Sequence, residues 1–238
     1  MPSDLKKTAF LLIDNDAKGC VVTCKEGLSF WGGVDPDTGS IIDVYHPNHG
    51  TELAGKFVLM PTSRGSCSGS GVLLQLARNG QAPAALVFCE KEDILTLGAI
   101  IAGRLFDRPI AVLQLAPAIY NALATAETAE ILDGTLSFGS HIIGLQRPNI
   151  DALTLSNTDR QMLAGKHGPA QKIAMETLCL MAAAQGADKL INVSRAHIDG
   201  CIFAHDANLD FADKMYQIGA KLRIPTTINA FSVDLDNW

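Results

Sequence analysis

Short unbroken apolar runs alternate along most of this chain with segments whose apolar positions recur every three or four residues. Unbroken runs suit strands covered on both faces, and the three-to-four spacing suits helices packed against them. Phe57-Val58-Leu59-Met60-Pro61 reads as a buried strand, and 71–80 as a helix whose final glycine is a suitable stop. Residues 84–88 and 109–113 repeat the strand pattern, with a short helix over 94–103 between them. Pro117 opens another helical turn, since proline suits the first helical position, and 134–146 return to β character. Ahead of this series, 19–61 reads as strands and turns, punctuated by Gly32-Gly33, Asp35-Pro36, Thr38-Gly39 and His46-Pro47-Asn48-His49-Gly50. Residues 1–147 are therefore expected to form a mixed α/β domain.

The periodicity lapses around Arg147-Pro148-Asn149-Ile150-Asp151, where a linker is expected. A helix then starts with Asn157 or Thr158 as its N-cap, is broken between Gly165 and Gly168, and is followed by a longer helix from Pro169 to about Gln185. Strands are expected over 189–193 and 221–224, with a helix over 209–218 between them. Two strands rarely bury enough on both faces to stand as a doubly wound sheet. This second part is expected to be the opening of a larger domain, completed by the same polypeptide or by another.

Composition narrows the function classes. The 238 residues are 47% hydrophobic and 18% charged, ample for a buried core, and the formal charge is −6. No run of Lys and Arg is present, which argues against a nucleic-acid or anionic-membrane surface. The apolar patch at 9–13 is too short for a membrane span, and a cytoplasmic location is expected. The six cysteines (20, 24, 67, 89, 179 and 201) are scattered in mostly apolar contexts, as reduced thiols would be. No Cys-x-x-Cys pair seeds a zinc or iron–sulfur site. Period two would put Cys20 and Cys24 on one strand face.

Three segments carry candidate chemistry. Ser63-Arg64-Gly65-Ser66-Cys67-Ser68-Gly69-Ser70 places hydroxyls, glycines and an arginine between a strand and a helix start. Converging backbone N–H groups there favour negative charge, either a bound anion or a serine that has lost its proton. The same composition also suits a well-capped turn. It is neither a Walker loop nor a Gly-x-Ser-x-Gly elbow, and a nucleophilic Cys67 has no histidine partner identifiable in the sequence. Ser194-Arg195-Ala196-His197-Ile198-Asp199-Gly200-Cys201 follows a strand, where open sheets bind ligands. His197 and Asp199 could position or protonate a substrate there, or belong to a solvated loop. Pro225-Thr226-Thr227-Ile228-Asn229 follows the next strand and would face the same crevice. Asp35, Asp43, His46 and His49 are read as turn residues in preference to metal ligands.

Leu28-Ser29-Phe30-Trp31-Gly32-Gly33-Val34-Asp35-Pro36, continuing through Thr38-Gly39 to Ile42-Asp43 and His46-Pro47, resembles the swivel domain of the aconitase X family. So does Arg64-Gly65-Ser66-Cys67-Ser68-Gly69-Ser70. The part from Met162-Leu163-Ala164-Gly165 through Ala196-His197-Ile198-Asp199-Gly200 to Pro225-Thr226-Thr227-Ile228-Asn229 resembles the beginning of that family's large catalytic domain. The resemblance implies a swivelling β/β/α domain over 1–147, followed over 157–238 by an incomplete N-terminal segment of an α/β aconitase-like catalytic domain.

It also implies a hydro-lyase that removes water from a small hydroxy acid. Cis-3-hydroxy-L-proline is the first candidate, because the swivel domain comes first in the chain; phosphomevalonate and a non-catalytic swivel-domain subunit are the alternatives. A phosphate-carrier role would need a phosphorylatable histidine that the 63–70 loop lacks. The family's proton-abstracting serine maps onto Ser66, with Arg64 and the helix-start amides stabilising its alkoxide. Gly65, Ser68, His197, Asp199, Gly200, Cys201, Thr227 and Asn229 map onto substrate-binding positions. The resemblance implies an iron–sulfur cluster in the complete enzyme, acting as Lewis acid on the departing hydroxyl. Its cysteine ligands are expected beyond this chain, so no metal ligand is assigned and the chain alone is expected to be inactive. The expected partners are the hydroxy acid and the remainder of the catalytic domain, with no nucleic acid and no membrane.

Overall fold

The unbroken apolar runs become the middle of a sheet. The computed structural model describes residues 9–155, 157–166, 168–184 and 189–190, and the chain divides into two units, Met1–Pro148 and Asn149–Trp238. The first unit begins with β1 (Ala9–Ile13) and β2 (Ala17–Thr23), followed by an excursion over 24–56. Then come β3 (Phe57–Leu59), α1 (Ser68–Asn79), β4 (Ala85–Phe88), α2 (Ile94–Phe106), β5 (Ala111–Leu115) and α3 (Pro117–Leu123). A meander of β6 (Thr128–Leu132), β7 (Thr135–Phe138) and β8 (His141–Gly144) follows.

The eight strands form one sheet in the order β1-β5-β4-β3-β2-β6-β7-β8. Four adjacent strands, β2 to β5, are mutually parallel. β1 closes one side antiparallel to β5, and the meander continues antiparallel from β2. Both helical crossovers step in the same direction, so right-handed connections put α1 and α2 on one face, where they pack on each other. Their approach is close: a Cβ on Gly98 would lie 3.0 Å from Ser70 Cα. On the other face Phe57, Leu59, Val87 and Leu113 join Ile119, Tyr120 and Leu123 of α3, with Ile131 and Phe138 of the meander, in one buried cluster. The alternate strand residues Val58, Leu86 and Val112 are fully buried as well. Each such side chain contributes roughly 1.5–3 kcal/mol on burial.

Helix α1 stops where the sequence stops it. Gly80 is left-handed (φ 71°), and its N–H returns to Ala77 and Leu76 carbonyls. The helix begins at Ser68, earlier than its apolar periodicity shows, because small Gly69 and Ser70 form its closely packed first turn. Strand β5 starts at Ala111, since Pro109 offers no N–H for a ladder. The short patch at 9–13 is the outer strand β1. β6 has no counterpart in the sequence reading: only Ala129 and Ile131 are buried in it, too few for a signal. Cys20 and Cys24 do not share a strand face. β2 ends at Thr23, leaving Cys20 exposed and Cys24 buried just beyond the strand.

In the second unit a 3₁₀ turn (Ile150–Ala152) leads to β9 (Thr154–Leu155), α4 (Asn157–Leu163), α5 (Pro169–Ala184) and β10 (Lys189–Leu190). The turn and β9 begin within and just beyond the stretch read as a linker, and β9 is too short to show periodicity. β9 and β10 pair in parallel, and α4 packs on α5. Gly165 (φ 79°) and Gly168 (φ 115°) make the break between those helices. The remainder of the 189–193 strand, the 209–218 helix and the 221–224 strand lie outside the described residues. No helix among the described residues is long and apolar enough to cross a membrane.

Candidate active site

Because β2, β3 and β4 run parallel, their carboxyl ends open on one edge of the sheet, where such sheets bind ligands. Three neighbouring segments that leave that edge are the 24–56 excursion, the 60–67 loop and the 89–93 loop. The middle one is tied to both neighbours. On one side the Arg64 N–H donates to the Leu28 carbonyl at 3.1 Å. A Cβ on Gly27 would stand 2.6 Å from Arg64 Cγ, so the excursion lies directly against the loop. On the other side the N–H groups of Cys89 and Glu90 donate to the Pro61 carbonyl. Thr62 Oγ1 donates to the Lys91 carbonyl at 2.8 Å, and Ser63 Oγ to Glu92 Oε1 at 2.7 Å.

The loop is thus fixed as far as residue 64 and then turns sharply. Gly65 has φ 96°, and a Cβ there would lie 2.6 Å from Ser29 Oγ. Ser66 follows and is exposed, and its hydroxyl has no hydrogen-bond partner among the described residues. Cys67 occupies the N-cap with helical backbone angles and supplies no side-chain cap. Ser68 is the first residue of α1. The Gly69 and Ser70 N–H groups turn back onto the Ser66 and Cys67 carbonyls, each at 3.0 Å. The N–H groups of Ser66 and Ser68 meet no acceptor among the described residues. A helix start left uncapped presents partial positive charge to whatever lies before it.

Arg64 is engaged elsewhere. Its Nη1 donates to Glu26 Oε2 at 3.1 Å, with both side chains largely exposed, and it makes no hydrogen bond to the Ser66 hydroxyl. An exposed pair of this kind contributes under about 1 kcal/mol. Arg64→Ala should therefore change denaturant stability by less than about 1 kcal/mol. Any larger loss of turnover in that variant would then report a role for the guanidinium in the reaction.

Glu92 escaped the sequence reading. Its side chain is 2% exposed, yet four bonds converge on it. Oε1 accepts from Ser63 Oγ and the Leu95 N–H, both at 2.7 Å, while Oε2 accepts from the Thr96 N–H and hydroxyl, both at 2.9 Å. Burial pushes this carboxyl above its ordinary 4.5, while the bonds from Leu95, Ser63 and Thr96 pull it down less strongly. The folded chain therefore holds this proton to higher pH than the unfolded chain. The resulting stability is complete below the ordinary value and is lost as pH rises through the folded value. Glu92→Gln should flatten that fall, and urea denaturation from about pH 4 upward would show it. The available signal was Glu92-Asp93 just before an apolar helix.

Of the expected site residues, Arg64, Gly65, Ser66 and Ser68 lie together on this turn. His197, Asp199, Gly200, Cys201, Thr227 and Asn229 fall outside the described residues. The early acids and histidines form turns: Asp35 accepts from the Asp37 N–H and the Thr38 hydroxyl, Asp43 from the Tyr45 N–H, and His46 Nδ1 from the Asn48 N–H. Among the described residues no three His, Cys, Asp or Glu side chains gather to hold a metal. Burial pushes the Cys24 thiol up to about 11 and that of Cys179 up to about 12, with Asp159 and Glu176 adding to the latter. Such thiols resist the deprotonation that ligation requires. The described residues do not fit an iron–sulfur cluster.

Comparison with known proteins covers both units. Residues 7–138 match the aconitase X swivel domain, and residues 152–238 match the aconitase X first domain. A cis-3-hydroxy-L-proline dehydratase of Pseudomonas aeruginosa is 42% identical over 234 residues, 95% of this chain and 40% of that protein. One of Hypocrea jecorina is 40% identical over 247 residues, 99% of this chain and 41% of that protein. The chain thus spans about two fifths of the length of these relatives. A phosphomevalonate dehydratase small subunit of Methanothermobacter thermautotrophicus is 48% identical over 93 residues, 39% of this chain and 71% of that protein. With its exposed serine turn on the carboxyl edge of the sheet and both of its segments matched, the chain belongs to the aconitase X family.

Proposed function

We propose that this chain supplies the swivel domain and the first part of the catalytic domain of a hydro-lyase, that its substrate is cis-3-hydroxy-L-proline, and that Ser66 is the base. The observation that carries the substrate is the extent of the match: dehydratases of this hydroxyproline align with 95% of the chain or more. The identity to a phosphomevalonate dehydratase small subunit supports the second reading, but it reaches only 39% of the chain.

The elimination breaks the Cα–H bond and the bond from the adjacent carbon to its hydroxyl oxygen, and the C–H electron pair forms a double bond between the two carbons. The departing hydroxide and one proton leave as water, in net the proton taken from Cα. Ser66 receives the Cα proton. It can do so only from its deprotonated form, which the open N–H groups at the start of α1 favour electrostatically. The ties at 61–64 and the turn at Gly65 hold the backbone leading into the serine, and solvent reaches the residue. The finer parts of the proposal are that the complete enzyme carries an iron–sulfur cluster with ligands outside this chain, that the rest of the catalytic domain is its partner, and that Gly65, Ser68, His197, Asp199, Gly200, Cys201, Thr227 and Asn229 contact substrate.

The test is water loss from cis-3-hydroxy-L-proline and from phosphomevalonate, offered separately to the chain together with the remainder of a large domain. Turnover of the hydroxyproline supports the proposal, and turnover of phosphomevalonate alone replaces the substrate. Turnover of neither by a folded, iron-loaded protein leaves the non-catalytic subunit as the better reading.

A further inference from the structure

We propose that Glu92, acting through the Ser63 hydroxyl, is the residue that positions the Ser66 turn; this rests on the reading of Ser66 as the base. A helix cap alone does not account for Glu92. Capping α2 requires acceptors for its first N–H groups, which the bonds from the Leu95 and Thr96 N–H groups already provide. The additional bond reaches across 29 residues to Ser63, on the loop leaving the neighbouring strand. Burying a carboxylate is costly unless its oxygens are filled, and Ser63 fills one of them.

The mechanical consequence follows from the order of the attachments. Ser63 is held by Glu92 and Arg64 by the Leu28 carbonyl, so the segment just before the serine is clamped between two loops. Gly65 is the sole residue between that clamp and Ser66. Releasing the Ser63 hydroxyl removes the side-chain tie nearest the base on the α2 side, leaving Thr62 Oγ1 on Lys91 one residue further back. Glu92 touches neither the turn's open N–H groups nor the Ser66 oxygen, so its role is positioning.

Ser63→Ala, Ser63→Thr, Glu92→Gln and the double variant Ser63→Ala/Glu92→Gln test this with two readouts. In the 238-residue chain, amide hydrogen exchange over 65–70 should quicken about tenfold in Ser63→Ala, with the later turns of α2 unchanged. In the enzyme with its large domain, kcat for hydroxyproline should fall about tenfold in Ser63→Ala with KM little changed. Ser63→Thr, which keeps the hydroxyl, should recover most of both effects, and the double variant should be no slower than the slower single variant. Unchanged exchange over 65–70 in Ser63→Ala, or additive losses in the double variant, would overturn the proposal. If Glu92→Gln does not fold, the Ser63 pair decides alone. Full activity in Ser66→Ala would instead remove the base assignment, while the exchange readout would still decide the clamp.

Discussion

Ser66→Ala should leave the swivel domain folded and lower kcat for cis-3-hydroxy-L-proline on the order of 10²–10⁴-fold, the contribution of a positioned base. The two halves of this expectation have separate physical grounds. Ser66 is exposed, its hydroxyl meets no partner among the described residues, and the bond the residue does make, from the Gly69 N–H, ends on its backbone carbonyl. Removing Oγ therefore costs little stability, and the variant should melt within about 0.5 kcal/mol of wild type. Two of the three other serines of the 63–70 turn have their hydroxyls engaged. Ser63 is committed to Glu92, and Ser70 donates to the Cys67 carbonyl. Thermal denaturation alongside initial-rate kinetics checks both halves at once.

Gly65→Ala should be the more damaging change to structure. At φ 96° an alanine is strained whatever the space around it. Here the space is absent too, because the new Cβ would lie 2.6 Å from Ser29 Oγ. Moving that oxygen breaks its bond to the Trp31 carbonyl at 2.9 Å. Strain and lost bond together should cost about 2–4 kcal/mol, and displacement of the following serine should lower kcat/KM about 10²-fold. Gly80→Ala is the control. Gly80 is also left-handed, but a Cβ there would meet nothing within 4 Å, so only backbone strain of about 1 kcal/mol is expected, with kcat unchanged. Circular-dichroism melts of the two variants separate the strain from the clash.

The parts of the fold that could be read in advance are those whose signal is local. Phe57 to Leu59 and Ala85 to Phe88 are uninterrupted apolar strands because both of their faces are covered. Gly80 ends α1 through its own backbone angle. β6 was illegible because its two buried residues alternate with less buried ones and one of its two partners, β2, is distant in sequence. The site divides along the same line. A turn rich in serine and glycine before a helix was visible, but the residues alone did not separate Ser66 from Ser63, Ser68 and Ser70. The family resemblance made that choice. The neighbours that shape the turn, Ser29 against Gly65 and Glu92 against Ser63, come from other strand ends. Nothing in the local pattern around residue 65 announces them.

The exchange of the substrate's Cα hydrogen with solvent tests the central claim most directly, because it follows the proton and not the overall turnover. Cis-3-hydroxy-L-proline deuterated at Cα, incubated with the enzyme containing this chain, should lose its label with wild-type Ser66 and retain it with Ser66→Ala. Loss of the label at the wild-type rate in a folded Ser66→Ala protein would contradict the assignment of Ser66 as the base.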